Sequence, residues 1–191
     1  KGRLVDVREK IATVLAGLPT CDGCIVVEWP GIAAMPGVQS WTEALGADRP
    51  APPFAQLPFD HPLYILFSSG TTGKPKCIVH GAGGTLLQHL KEHRLHCDLR
   101  RTDTLFYFTT CGWMMWNWLV SGLATGATLV LFDGNPMYPR VESLWEMADR
   151  LGITIFGTSA KYLSAQAKAG IRVKEKLPLR SLRSVLSTGS P

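Results

Sequence analysis

No stretch of this sequence approaches the ~20 consecutive apolar residues of a membrane-spanning helix, so a helical membrane protein is not expected. Nor is there a basic run interleaved with aromatics. The 20 lysines and arginines, set against 15 acidic residues for a formal charge of +5, are scattered along the chain, which favours a small anionic ligand over nucleic acid. Cysteine is sparse: five residues, an odd number without framework spacing, fit reduced thiols in a cytoplasmic setting, and no signal peptide is visible. Cys21-Asp22-Gly23-Cys24 is a single C-x-x-C with no second pair, and Gly23 beside Asp22 marks a turn before a strand. The Gly-x-Ser-x-Gly elbow of α/β-hydrolases does not occur. An initiator methionine and a terminal helix or polar tail are also missing, so we expect a piece cut from a longer protein.

What is present reads as an α/β protein, at 46% hydrophobic and 18% charged residues. Leu4, Val7, Ile11, Val14 and Leu18 recur at helical spacing and stop at Pro19; a strand is expected over 25–29. Residues 30–62, crowded with Pro, Gly and Ala around a short helical piece at 41–45, read as irregular connection and hold the main subdomain boundary. Strands then alternate with helices: strands over 63–67, 77–80, 105–108, 128–132, 153–156 and 184–186, helices over 85–97, 113–123, 141–151 and 159–169. Continuous apolar strands alternating with helices predict a mostly parallel sheet flanked by helices on both faces. Ligands bind such sheets at the strand carboxyl ends, so the loops beginning at Ser68, Thr109, Gly157 and Ser187 are expected to converge on one site.

The run Ser68-Ser69-Gly70-Thr71-Thr72-Gly73-Lys74-Pro75-Lys76 puts two glycines, four hydroxyls and two lysines on one short loop. Glycine lets the backbone approach a ligand closely, hydroxyl and N–H groups donate to anionic oxygens, and Lys74 and Lys76 add charge, a combination that suits polyphosphate. The spacing is not that of a Walker loop, which needs four residues between its glycines and then a helix. Pro75 biases Lys74 toward extended geometry, and Cys77-Ile78-Val79-His80 continues as a β-type run, so the loop is expected to join two strands. A plain hairpin turn is the competing reading.

Two further patterns compete for attention. His89-Leu90-Lys91-Glu92-His93 matches the H-x-x-E-H spelling of inverted zinc peptidases, but no downstream carboxylate signature accompanies it, and a charged, solvated helix face is the preferred reading. No metal site is expected. Cys111-Gly112-Trp113-Met114-Met115-Trp116-Asn117-Trp118 reads either as a core-packing helix or as the wall of an apolar pocket for a small organic acid, made by Trp113, Met114 and Met115.

The loop from Ser68 to Lys76 resembles the phosphate-binding signature of the acyl-adenylate-forming enzymes, the superfamily of acyl-CoA synthetases, luciferases and adenylation domains. Cys77 to Gly84 narrows the likeness to the branch of acetyl- and acetoacetyl-CoA synthetases; residues 84–93, 111–118 and 186–191 are similar to the acetoacetyl-CoA synthetases in particular. The resemblance implies part of the large N-terminal domain of that fold: residues 1–62 as a preceding helix-strand unit and linker, 63–191 as the AMP-binding core, with the small C-terminal domain absent. It implies a two-step ligase using acetoacetate, ATP with Mg2+, and coenzyme A, and no nucleic acid or membrane partner. By resemblance Ser68, Ser69, Gly70, Thr71, Thr72, Gly73 and Lys74 hold the β- and γ-phosphates, with Lys76 adding charge nearby. Gly189, Ser190 and Pro191 lie beside the adenine, with Ser190 where the acetyl-specific relatives carry Glu. Trp113, Met114 and Met115 form the acyl pocket. The family's catalytic Lys and magnesium-binding Glu are expected beyond the chain end, so these residues alone are expected not to turn over. Related ligases of other short acids, and a non-catalytic nucleotide-binding module, are the alternatives.

Overall fold

The computed structural model describes residues 5–27, 35, 37–46, 51–68 and 73–189. They fall into two units, Lys1–Gln56 and Leu57–Pro191. In the first, helix α1 (Arg8–Ala16) ends at Gly17, ahead of Pro19, and none of its residues is buried. Strands β1 (Ile25–Val26) and β2 (Gln39–Ser40) pair in parallel. Helix α2 (Trp41–Leu45) starts on a capping box: the Glu43 N–H donates to Ser40 Oγ at 3.1 Å and the Ser40 N–H donates to the Glu43 carboxylate at 2.8 Å. The expected strand over 25–29 is therefore confined to Ile25–Val26; Glu28 and Trp29 lie outside the described residues.

The second unit opens with a hairpin, β3 (Pro62–Ser68) and β4 (Lys76–Gly81), antiparallel with Ser68 opposite Lys76. The loop does join two strands, as Pro75 suggested. It does not, however, spring from the parallel sheet: residues 69–75 are too few for a parallel crossover, so the two strands form a sheet of their own. Helix α3 (Ala82–Lys91) follows at once, earlier than the expected start at 85. Glycine at 83 serves packing and not a turn, because a Cβ there would lie 2.1 Å from the Phe59 ring. The helix then widens into a π-helical turn over Glu92–His96, closed by the Cys97 N–H donating to the Glu92 carbonyl at 2.9 Å.

The rest is β5 (Thr104–Tyr107), α4 (Met114–Ser121) with a 3-10 turn over Gly122–Thr125, β6 (Thr128–Val130), α5 (Ser143–Arg150), β7 (Ile155–Ser159), α6 (Ala160–Lys168), α7 (Val173–Lys176) and β8 (Ser184–Thr188). All four of these strands pair in parallel in the order β6-β5-β7-β8. Alternate residues serve opposite faces, as a doubly covered sheet requires. Leu105, Tyr107 and Ile155 pack with Met115, Trp118 and Leu119 of α4 on one face. Phe106 and Phe156 pack with Leu144 and Trp145 of α5 and Tyr162 of α6 on the other, where Trp145 stacks on Phe156 at 4.2 Å between centroids. The edge strand is held from its entry: Arg183 donates to the Asp103 carboxylate at 2.7 Å and to the Asp98 carbonyl at 2.9 Å.

Gly157, expected in a loop, lies inside β7 opposite Tyr107. A Cβ at this position would stand 2.0 Å from the Tyr107 ring, so the absent side chain is what lets the ring lie across the strand. Gly157→Ala in the full-length protein should cost about 1–3 kcal/mol of stability, read as a lowered midpoint in chemical unfolding.

Candidate active site

On the α4 side of the sheet a cavity of about 840 Å³ opens within the second unit. Met114, Met115 and Trp118 of α4 form one wall and Thr85, His89 and Glu92 of α3 and its π-helical turn another. Tyr64, Leu66, Val79 and His80 come from the hairpin, and residues 185–188 of β8 close the far edge beside Tyr107.

Polar contacts fix the β8 edge and the two helix walls. The Tyr107 hydroxyl donates to the Thr158 carbonyl at 3.2 Å and lies 2.9 Å from the Thr188 hydroxyl, joining the centre of the sheet to the end of its edge strand. Burial raises the Tyr107 pKa, against a smaller opposing effect of Thr188, so it stays a neutral phenol. Between the helices, Glu92 accepts from the Trp118 indole N–H at 2.8 Å and from the Gln88 amide at 2.6 Å. Behind them His93 is fully buried, its Nε2 3.0 Å from the Trp118 carbonyl and 2.9 Å from Ser121 Oγ, its ring tilted against the Trp118 ring at 4.1 Å. Nε2 therefore carries the proton. Nδ1 has no hydrogen-bond partner among the described residues. Burial pulls the His93 pKa down to about 4, only partly offset by the Trp118 carbonyl. The solvated helix face expected at His89 and His93 is thus corrected: the π-helical turn tucks His93 against α4, and His89 is half-buried. Among the described residues no three His, Cys, Asp or Glu side chains gather as a metal site.

The chemistry on offer is positional. Cys97 lines the cavity, but burial raises its thiol pKa, so it is a poor nucleophile. Met114 and Met115 line the cavity, whereas Trp113 is not among its lining residues: it stands at the N-terminus of α4 and sets its ring edge-on to Tyr107 at 6.3 Å. Of the loop residues, Ser68 ends β3, Gly73 takes a positive φ of 154°, and Lys74 and Lys76 lead into or start β4. Ser69, Gly70, Thr71 and Thr72 lie outside the described residues, as do Ser190 and Pro191; Gly189 follows β8 at φ 94°. Sequence reasoning passed over Tyr107 and Thr188, and it read the polar stripe that His89 and Glu92 share as a solvated face. The stripe alone left a signal, the three- and four-residue spacing of Thr85, His89, Glu92 and His96.

A model of the AMP-binding enzyme family matches residues 5–191. The chain belongs to that family. Within it, the chain is 49% identical to the acetoacetyl-CoA synthetase of Mus musculus over 193 aligned residues, 96% of this chain and 29% of the relative. It is 64% identical to the acetoacetyl-coenzyme A synthetase of Rhizobium meliloti (strain 1021) over 138 residues, 72% of this chain and 21% of the relative. The solved structure of the acetoacetyl-CoA synthetase from Streptomyces lividans superposes with a TM-score of 0.91 at 47% identity, covering all of this chain and 29% of that one. The second unit is therefore the α/β architecture of an AMP-binding enzyme, and this chain spans less than a third of the relatives it matches.

The His93 environment sets a pH dependence. The unfolded chain takes up a proton at His93 below its ordinary 6.5, while the folded one resists until about 4, so its contribution to stability is complete above 6.5 and is lost as pH falls toward 4. His89, also lowered by burial, adds a smaller slope of the same sign. Denaturant midpoints between pH 7 and 5 should fall more steeply in the wild type than in His93→Leu.

Proposed function

We propose that the full-length protein is an ATP-dependent acetoacetate–CoA ligase and that the second unit described above belongs to its AMP-binding core. The acid's carboxylate oxygen attacks the α-phosphorus of ATP and pyrophosphate leaves. The coenzyme A thiol then attacks the acyl carbon of the adenylate, its proton is lost, and AMP leaves as acetoacetyl-CoA forms. The single observation that carries this reading is the shared cavity: strands of the phosphate-loop hairpin, the methionines of α4 and the end of β8 all face one space. Identity of up to 64% to acetoacetyl-CoA synthetases supports the choice of acid.

The residues divide the work by position. Ser68 through Lys74 hold the β- and γ-phosphates, with Lys76 adding charge, which stabilises the departing pyrophosphate by donors and cations already in place. Gly189, Ser190 and Pro191 contact the adenine. Met114 and Met115 enclose the acyl chain, and Trp113 supports them through Tyr107. Magnesium accompanies ATP and neutralises phosphate charge. We place the reaction in the cytoplasm, consistent with five free cysteines among the described residues.

Among the described residues a Cβ on Gly73 meets nothing within 4 Å, so alanine there strains the backbone. Acetoacetate-dependent ATP–pyrophosphate exchange by the full-length protein should fall at least about 100-fold in the double variant Gly73→Ala, Lys74→Ala, while its unfolding midpoint drops only by the roughly 1 kcal/mol of local backbone strain. Undiminished exchange would refute the phosphate assignment, and acetate clearly outcompeting acetoacetate would refute the acid. The 191 residues alone should give no exchange.

A further inference from the structure

The reading above leaves the α3 wall of the cavity without a role. Thr85, His89, Glu92 and His96 recur along one helix face and look into the space that Met114 and Met115 line. A 3-oxo acid differs from the plain acid of equal carbon count by a carbonyl oxygen that can only accept hydrogen bonds, and burying that oxygen without a donor is unfavourable.

Donor accounting narrows what can meet it. The Trp118 N–H is committed to Glu92, as is a Gln88 amide N–H, and the Tyr107 hydroxyl is held between Thr158 and Thr188. Glu92 is itself an acceptor. His93 does not line the cavity, and its N–H is taken by Trp118 and Ser121. On the two facing helices the half-buried donors that remain are Thr85, His89 and Asn117. His89 is set edge-on to the fully buried His93 ring, 6.5 Å between centroids at 74°, which orients it from behind. Burial lowers its pKa, which favours a neutral ring with a single N–H.

Resting on the ligase reading, we propose that His89 donates its ring N–H to the 3-oxo oxygen of the acid, so that this residue makes the cavity selective for 3-oxo acids over their unsubstituted counterparts. Met114 and Met115 supply shape, which by itself separates two four-carbon acids poorly.

The test compares acetoacetate with butyrate in ATP–pyrophosphate exchange by the full-length protein. His89→Phe should lower kcat/KM for acetoacetate about 10–100-fold and leave butyrate unchanged or improved. His89→Gln, which restores a donor, should recover most of the selectivity, and butyrate turnover serves as the folding control. Parallel loss for both acids, an unchanged ratio, or a ratio that moves in Asn117→Leu and not in His89→Phe would overturn the inference. Wild-type protein that shows no exchange with acetoacetate overturns the ligase reading and this inference with it; the former outcomes overturn His89 alone.

Discussion

A tyrosine ring laid across a glycine ties the sheet to the cavity beside it. Tyr107 stands on the central strand, its ring occupying the space that any side chain at Gly157 would fill, and its hydroxyl reaches both the Thr158 carbonyl and Thr188 on the edge strand. The same ring packs edge-on to Trp113 and Trp118, at 6.3 and 6.0 Å. One residue thus sets the spacing of β5, β7 and β8, the seat of α4 and the far edge of the cavity. Aromatic contacts of this kind carry large apolar burial together with one directional polar bond, and here both are used.

The opposite wall works by a different balance. Glu92 is half-buried, and its carboxylate is offset by two N–H donors from two helices, so α3 and α4 are joined by a charge-assisted contact where purely apolar packing would fix neither rotation nor register. His93 adds a neutral, desolvated ring behind it. The cavity consequently joins polar groups whose partners are fixed, Glu92 and Tyr107, to donors still open on α3 and α4 and to the buried Met115. A raised Cys97 pKa leaves its thiol a poor nucleophile, so what the walls offer is shape and placed hydrogen-bonding groups.

Much of this was legible in the residues. The continuous apolar run Leu105, Phe106 and Tyr107 announced a strand covered on both faces, and Pro75 with the following β-type run announced a loop joining two strands in place of a Walker loop. What stayed hidden depended on partners far along the chain. Gly157 was read as a loop residue because glycine marks both loops and close approaches, and the ring that decides between the two belongs to Tyr107. The single turn of α7 is too short to show a period. The burial of His93 was invisible because a regular helix was assumed through Glu92–His96, and the face a residue presents changes wherever that regularity breaks.

That break has a consequence for how this segment tolerates change in length. A π-helical turn holds one residue more than an α-helical turn spanning the same rise. Deleting one residue within Glu92–His96 could be absorbed by reverting to ordinary winding, without disturbing the backbone on either side. Positions beyond the turn would keep their faces, and only those inside it would change neighbours. The chain would survive the loss, and the groove against Trp118 would receive a different side chain.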